Sequence, residues 1–100
     1  MDRELLSAED LDRASAALDE AWSISPEQLT RTVEFPTFLI AVQFIGDMAR
    51  VAERLDHHPD LSLSWRTVEL RLSTHSAGGV TAFDVELARD LDQIIARLSG

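Results

Sequence analysis

The sequence has no cysteine among its 100 residues, which excludes a disulfide framework and thiolate chemistry. It also has no apolar run that approaches the ~20 residues of a membrane-spanning helix. Its opening stretch, MDRELLSAED, lacks the basic and then apolar layout of a secretory signal peptide. These absences predict a cytoplasmic protein that does not enter a membrane.

Basic residues are scarce relative to acidic ones. Nine residues are lysine or arginine and eighteen are aspartate or glutamate, so the formal net charge is −9. A phosphate backbone is bound by clustered basic side chains. The arginines that could share one face are interrupted by acids; they are Arg50, Arg54, Arg66 and Arg71. We therefore expect no direct nucleic-acid partner.

The hydrophobic content of 45% is that of a globular domain rather than a disordered chain. No internal repeat or low-complexity tract divides the sequence, so residues 1–100 are predicted to form a single domain. A core of this size gives modest stability, and oligomerisation is a natural supplement to it.

Hydrophobic periodicity predicts three helices. The first spans residues 8 to about 20 and is capped by Ser7. The second begins at Pro36 and stops before Pro59, because the residue ahead of a proline avoids helical geometry. The third follows Thr81. The second helix carries a wide apolar stripe that is expected to face the core. The stripe consists of Phe38, Ala41, Val42, Ile45, Ala49 and Ala52, and it is broadened by Phe44, Met48, Val51 and Leu55.

Alternating apolar and polar residues predict four strands. They lie at about 22–24, 29–35, 61–65 and 68–74, so Trp65 is expected in the third strand and His75 at the end of the fourth. The order of elements is α-β-β-α-β-β-α. Strands in hairpins with helices between them indicate an α+β fold, with one four-stranded antiparallel sheet and three helices packed on one face.

All three histidines lie between Glu53 and Asp84. Histidine suits acid–base chemistry near neutral pH, and Glu53 would neighbour His57 if the second helix continued that far. Each residue also has a structural explanation by itself. His57 and His58 could be cations at a helix C-terminus, His75 a polar residue at a loop, and Asp84 part of a helix capping box.

Two further possibilities come from the residue types in this stretch. Three histidines and a water molecule would suit a catalytic zinc ion, but adjacent histidines on a loop tend to point apart, so zinc is the weaker hypothesis. Gly78 and Gly79 could form an N–H nest for an anion or a simple left-handed turn. Phosphate-loop patterns and the nucleophile turn of a Ser-His-Asp triad are absent.

The spacing E-x3-H-H-P-x5-W-x9-H-x8-D, from Glu53 to Asp84, resembles the signature of the pterin-4a-carbinolamine dehydratases. The similarity runs from about Leu5 to Ile95, and it includes the stretch STHSAGGVT at residues 73–81. This compound motif is far more specific than any of its parts, and it outweighs the separate structural explanations.

The resemblance implies a dehydratase that removes water from 4a-hydroxytetrahydropterin. The product is quinonoid dihydropterin, which recycles the pterin of aromatic amino acid hydroxylases. The resemblance also implies a pterin substrate, no metal or organic cofactor, a homodimer or homotetramer, and functional coupling to an aromatic amino acid hydroxylase.

The resemblance further implies two sets of site residues. The catalytic set is His57, His58, His75 and Asp84. The substrate-binding set is Glu53, Pro59, Trp65, Thr74 and Ser76.

Within these sets, His58 and His75 are expected to flank the carbinol and share the acid and base tasks. His57 would assist on the hydroxyl side, and Asp84 would orient His75 or bind the pterin. Glu53 would support the histidine pair, and Trp65 would line the pocket.

Two other functions compete with this one. The first is a catalytically inactive dehydratase-like protein that serves as a binding or assembly-chaperone protein, which would be expected to lose the histidines. The second is a metal-dependent hydrolase. Retention of all three histidines together with Asp84 favours the enzyme.

Overall fold

The computed structural model describes residues 1–99, and Gly100, the last residue of the predicted domain, lies outside the described residues. Over this range the helices and strands follow one another in the predicted order. They are α1 (Ala8–Ser15), β1 (Ser23–Ile24), β2 (Leu29–Glu34), α2 (Phe38–Leu55), β3 (Asp60–Ser64), β4 (Thr67–Leu72) and α3 (Ala82–Ser99), with a short 3₁₀ helix at His75–Ala77. The α+β class is confirmed.

The strands form one antiparallel sheet in the order β1-β2-β4-β3. The central pair aligns Leu29 with Leu72 and Arg31 with Leu70, and the three leucines are fully buried. The guanidinium of Arg31 contacts Asp92 of α3, with an Nη1–Oδ1 distance of 2.6 Å. The helices therefore cover this face. The opposite face carries the exposed polar side chains of Thr32, Glu34, Ser62, Ser64 and Glu69.

The helix α2 buries only part of the wide apolar stripe that the sequence predicts. The sequence pattern pointed Phe38, Val42 and Ala49 inward, but all three are exposed. The buried residues of α2 are Ala41, Phe44, Met48, Val51 and Ala52. All five belong to the predicted wide stripe, so the prediction was wrong only for Phe38, Val42 and Ala49, because apolar residues occupy adjacent stripes of this helix. Periodicity identifies such a helix, but the partner surface decides which stripe is covered.

The start of α2 also differs from the prediction. Thr37, rather than Pro36, ends the preceding loop as the helix cap, and its Oγ1 accepts a hydrogen bond from the amide of Ile40 at 3.0 Å.

Among residues 1–99, no helix combines the length and apolar character needed to cross a bilayer.

The helix α1 is shorter than predicted. Ser7 caps it as expected, with Oγ accepting from the amide of Asp10 at 3.1 Å, but the helix ends at Ser15. The amides of Ala17 and Leu18 donate to carbonyls three residues earlier, which tightens the chain. This tighter turn ends the helix before residue 20, and it places Leu18 in the core.

Trp65 lies in a turn and not in a strand. Ser64 pairs with Thr67, so Trp65 and Arg66 are the two residues of a tight hairpin turn. Trp65 has a left-handed backbone with φ of 54°, and 71% of its surface is exposed. The guanidinium of Arg66 lies 4.8 Å from the centre of its ring.

Candidate active site

The end of α2 turns His57 into the protein. Asp56 adopts a left-handed conformation with φ of 50° and ψ of 45°, and the amide of His57 donates to the carbonyl of Ala52 at 3.0 Å. This bond, with the left-handed residue before it, is the Schellman type of helix ending. Only 7% of His57 remains exposed. Because the helix has already ended, Glu53 and His57 do not form the predicted pair on one helical face.

His57 contacts Asp84. These two are the buried residues of the predicted catalytic set. Nε2 of His57 lies 2.5 Å from Oδ1 of Asp84, and no surface of Asp84 is exposed. Asp84 lies in the first turn of α3. The partner of Asp84 is therefore His57, and the expectation that Asp84 orients His75 is corrected.

The other oxygen of Asp84 is held by two threonines. Oδ2 accepts from the amide of Thr81 at 2.9 Å and from Oγ1 of Thr74 at 2.8 Å. The bond from the Thr81 amide is one half of the predicted capping box. The carboxylate of Asp84 thus serves the start of α3 and the histidine at the same time.

His58 and His75 also face carboxylates, but at the surface. Nε2 of His58 lies 2.6 Å from Oε2 of Glu53, with 57% of the histidine side chain exposed. Nε2 of His75 lies 3.4 Å from Oδ2 of Asp60, with 79% of its side chain exposed. Glu53 thus contacts one member of the histidine pair, as expected, but that member is His58.

Three chain segments therefore meet at one place: the end of α2, the end of β4 and the start of α3. His75 follows Thr74 directly, and its partner Asp60 follows Pro59 and the histidine pair. Pro59 is half-buried, Thr74 is buried and Ser76 is exposed. The structure brings together the two predicted sets of site residues with one exception.

The exception is Trp65. It lies at the far end of β3 from Asp60, and five residues of extended strand span roughly 17 Å. Within the described chain, Trp65 is not beside the histidines, and the structure does not place it in their pocket.

The glycine pair closes the loop before α3. Gly78 has φ of 78°, in the left-handed region, and the amides of Gly78 and Gly79 donate to the carbonyl of Thr74 at 3.0 and 3.4 Å. These amides are used inside the loop, so the turn explains the glycine pair and an anion nest does not.

Three residues beside the site escaped the sequence interpretation. The ring of Phe83 lies 5.7 Å from the His57 ring, and Arg3 places its guanidinium 4.3 Å from the centre of the Phe83 ring. Arg3 also donates to the carbonyl of Asp56 at 2.8 Å. Asp60 and Phe83 could have been identified, since Asp60 directly follows the H-H-P motif and Phe83 directly precedes Asp84. Arg3 carried no sequence signal, because only the fold brings it to Phe83 and Asp56.

The donor atoms of the site are engaged in pairs rather than grouped about one point. Among residues 1–99, no three side chains of His, Cys, Asp or Glu are placed so that they could hold a metal ion. The chemistry available to this arrangement is proton transfer by imidazoles, one of them held by a buried carboxylate.

The fold and site together define a class: a small α+β protein with an antiparallel sheet and three histidines, each facing a carboxylate, in the segments that follow α2 and β4. A family model described as "Pterin 4 alpha carbinolamine dehydratase" matches residues 4–94, and the chain belongs to this family. A relative from Nocardia farcinica is 44% identical over 94 residues, covering 94% of this chain and 98% of the relative. One from Mycobacterium avium is 42% identical over 91 residues, covering 91% and 96%. Both are named "Putative pterin-4-alpha-carbinolamine dehydratase".

Two solved structures share the fold. A transcriptional coactivator/pterin dehydratase from Brucella melitensis has a TM-score of 0.84 and 34% identity, covering 95% of this chain and 98% of that one. A pterin dehydratase-like protein identified as a RuBisCO assembly factor in the α-carboxysome has a TM-score of 0.61 and 16% identity, covering 73% and 84%. The second likeness shows a common fold alone.

Proposed function

We propose that the protein is a dehydratase, a hydro-lyase that converts 4a-hydroxytetrahydropterin to quinonoid dihydropterin and water. The observation that carries this proposal is the buried pair of His57 and Asp84, next to the segments that bear His58 and His75. A buried imidazole held by a carboxylate has a fixed orientation, as in known sites of acid–base catalysis. Family membership supplies the substrate class.

The reaction requires two proton transfers. The C4a–O bond breaks, and an acid gives the departing hydroxyl a proton so that it leaves as water. A base takes the proton from the neighbouring ring nitrogen, and the electron pair of that N–H bond forms the new C=N bond. The acid loses one proton and the base gains one, so no oxidant, reductant or metal ion is needed for the balance. Each positioned transfer contributes typically 10²–10⁴-fold to a rate.

The three histidines divide this work in our proposal. His58 and His75 are the exposed imidazoles that reach the bound pterin and flank the carbinol. His57 acts on the hydroxyl side, where the buried carboxylate of Asp84 stabilises the imidazolium that forms when it takes up a proton. Glu53 and Asp60 orient the two exposed imidazoles.

The test is a stopped-flow dehydration assay with freshly generated 4a-hydroxytetrahydropterin. The wild type should accelerate dehydration over buffer, and His57→Ala, His58→Ala and His75→Ala should each lower kcat/KM by ~10²–10⁴-fold. Arg13→Ala is the control, since 76% of that side chain is exposed on α1. No acceleration by the wild type, or three alanine variants within ~10-fold of it, would overturn the proposal.

The competing proposal is a non-enzymatic assembly protein. The α-carboxysome neighbour shows that proteins of this fold include one described as an assembly factor. This chain keeps all three histidines and Asp84, which favours the enzyme. If the wild type does not accelerate dehydration in the assay, the assembly function is the better supported of the two.

We also propose the wider setting that the resemblance implies. The substrate is a pterin, no metal or organic cofactor is used, and the enzyme serves an aromatic amino acid hydroxylase in the cytoplasm. It acts as a homodimer or homotetramer without direct nucleic-acid contact. The exposed apolar side chains of Phe38, Leu39 and Val42 on α2 support self-association.

A further inference from the structure

The hydrogen bonds around Asp84 have directions that can be assigned. The backbone amide of Thr81 can only donate, and it contacts Oδ2 at 2.9 Å. The hydroxyl of Thr74 donates to the same oxygen at 2.8 Å. Asp84 is fully buried, and these two donors stabilise its ionised form.

The donor and acceptor can also be assigned in the hydrogen bond between the hydroxyls of Thr74 and Thr81. Oγ1 of Thr74 and Oγ1 of Thr81 are 2.7 Å apart. A hydroxyl has one proton, and Thr74 has already given its proton to Asp84. Thr81 therefore donates to Thr74, and the chain of hydrogen bonds runs from Thr81 through Thr74 to the carboxylate.

An ionised Asp84 can only accept from His57. The bond of 2.5 Å between Oδ1 and Nε2 therefore places the proton on Nε2. Nδ1 of His57 has no hydrogen-bond partner within residues 1–99. The buried side-chain atoms in this range that lack both a partner and solvent contact are Nε of Arg31 and Nε of Arg66. Nδ1 of His57 is not one of them, so it keeps contact with solvent.

We infer that Thr74 and Thr81 are positioning residues that lock His57 in the tautomer with its proton on Nε2, and that Nδ1 is the nitrogen that exchanges a proton with the substrate. The identity of that substrate rests on the proposed function. The tautomer itself does not, because it follows from the hydrogen bonds alone. Thr74 thereby acquires a role different from the direct substrate contact that the resemblance implies.

Asp84→Asn is the variant that reverses the tautomer. The amide of Thr81 must still meet an acceptor, so the carboxamide oxygen takes the Oδ2 position and the NH₂ group faces His57. His57 must then accept at Nε2 and carry its proton on Nδ1. Imidazole ¹⁵N NMR of uniformly labelled protein, at a pH where His57 is neutral, should show the proton on Nε2 in the wild type and on Nδ1 in Asp84→Asn. The same tautomer in both proteins would overturn the inference.

Valine and serine at the threonine positions provide a second test that does not depend on the folding of Asp84→Asn. Thr74→Val removes a donor to the carboxylate, and Thr74→Ser keeps it. Thr74→Val should lower kcat roughly 10- to 100-fold with little change in KM, the range for a lost hydrogen bond to a charged group. Thr74→Ser should restore kcat to within ~3-fold of the wild type.

Thr81→Val should lower kcat less than Thr74→Val, because Thr74 can still donate to Asp84 after the change. It also removes an acceptor for the amide of Phe83, which lies 3.3 Å from Oγ1. Thr37→Val is the matched control, since it removes a helix cap at α2. Two results would show that Thr74 and Thr81 have only a structural role. One is an equal loss of kcat in Thr37→Val and Thr74→Val, and the other is a kcat of Thr74→Ser as low as that of Thr74→Val.

The two hypotheses can fail separately. A protein that shows the tautomer reversal but no dehydration keeps this inference and loses the proposed function. A protein that dehydrates the pterin but shows no reversal keeps the function and loses the assignment of Nδ1.

Discussion

The three histidines each face a carboxylate, but the pairs differ in how much water reaches them. His58 with Glu53 and His75 with Asp60 are exposed pairs, and such pairs contribute at most ~1 kcal/mol to stability. The pair of His57 and Asp84 is buried, so the Asp84 carboxylate is surrounded by protein groups rather than by water. These groups are His57, Thr74 and Thr81. This difference makes His57 the imidazole that is held inside the protein, while His58 and His75 are the two imidazoles that are open to solvent.

A second carboxylate, that of Asp92, is mostly buried, with 17% of its side chain exposed, and it links three segments of the fold. Its Oδ1 accepts from Nε1 of Trp22 and from Nη1 of Arg31, each at 2.6 Å. Its Oδ2 accepts from the amide of Asp19 at 2.9 Å. Asp92 thus ties the loop after α1 and the strand β2 to α3.

Replacing Asp92 should therefore be costly. Asp92→Ala leaves the guanidinium of Arg31, with 11% of the side chain exposed, without its closest carboxylate. We expect the free energy of unfolding to fall by about 3–5 kcal/mol, the cost of removing one partner from a buried ion pair. Urea denaturation followed by circular dichroism measures it.

The control for this prediction is Asp10→Ala, which removes an exposed partner of Arg13. That variant should lose less than about 1 kcal/mol. Similar losses in the two variants would show that Asp92 acts as a surface charge.

At the scale of elements, the ends of helices and strands build the site. The left-handed Asp56 ends α2 and turns His57 inward, and the loop of Gly78 and Gly79 carries the chain from His75 to α3. Gly79 approaches its neighbours closely: a Cβ placed there would lie 2.5 Å from the carbonyl oxygen of Pro26 and 3.0 Å from Cδ2 of Leu5.

Gly79→Ala should therefore destabilise the loop that joins β4 to α3. The carbonyl of Pro26 accepts from the amide of Val80 at 2.9 Å, so the backbone cannot give way without losing this bond. We expect a loss of about 1–3 kcal/mol in the free energy of unfolding, together with lower dehydration activity because Thr74 and Thr81 flank the loop. Urea denaturation and the stopped-flow assay measure the two effects.

Gly46→Ala is the matched control in α2. A Cβ at Gly46 meets nothing within 4 Å, and alanine is favoured over glycine in a helix, so this variant should gain up to ~1 kcal/mol. Equal stability of the two alanine variants would contradict the close contact at Gly79.

At the scale of the whole molecule, a domain of 100 residues leaves apolar side chains of α2 uncovered. Phe38 is 52% exposed, Leu39 is 75% exposed and Val42 is 41% exposed. The three lie within the first two turns of the helix, where a second copy of the chain would cover them.

If the proposed homodimer or homotetramer forms through this face, Leu39→Glu should shift the protein toward a smaller species, since the introduced charge would have to be buried in the interface. Size-exclusion chromatography with light scattering measures the mass. Gln93→Glu adds the same charge at an exposed position of α3, away from these apolar side chains, and should leave the mass unchanged. An unchanged mass in Leu39→Glu would exclude this face as the interface.

Much of the fold was predictable because it depends on local patterns. The alternation in Val68–Leu72 and the cap at Ser7 were interpreted correctly. The length of α1, the full width of the inward stripe of α2, the end of the fourth strand at Leu72 and the turn at Trp65 were not. The length of α1 and the covered part of α2 depend on contacts with distant residues, such as the hydrogen bonds of Asp92 to the chain after α1, which no window of neighbouring residues contains.

The sequence by itself determined the family resemblance, the order of elements and the set of imidazoles and carboxylates available for chemistry. These depend on residue types and spacing along the chain. Only the tertiary structure decided which carboxylate meets which imidazole. His57 and Asp84 are 27 positions apart, and their contact requires the ending of α2, the loop at Gly79 and the start of α3 to converge. Burial then follows from packing, and it sets His57 apart from two histidines of identical chemistry.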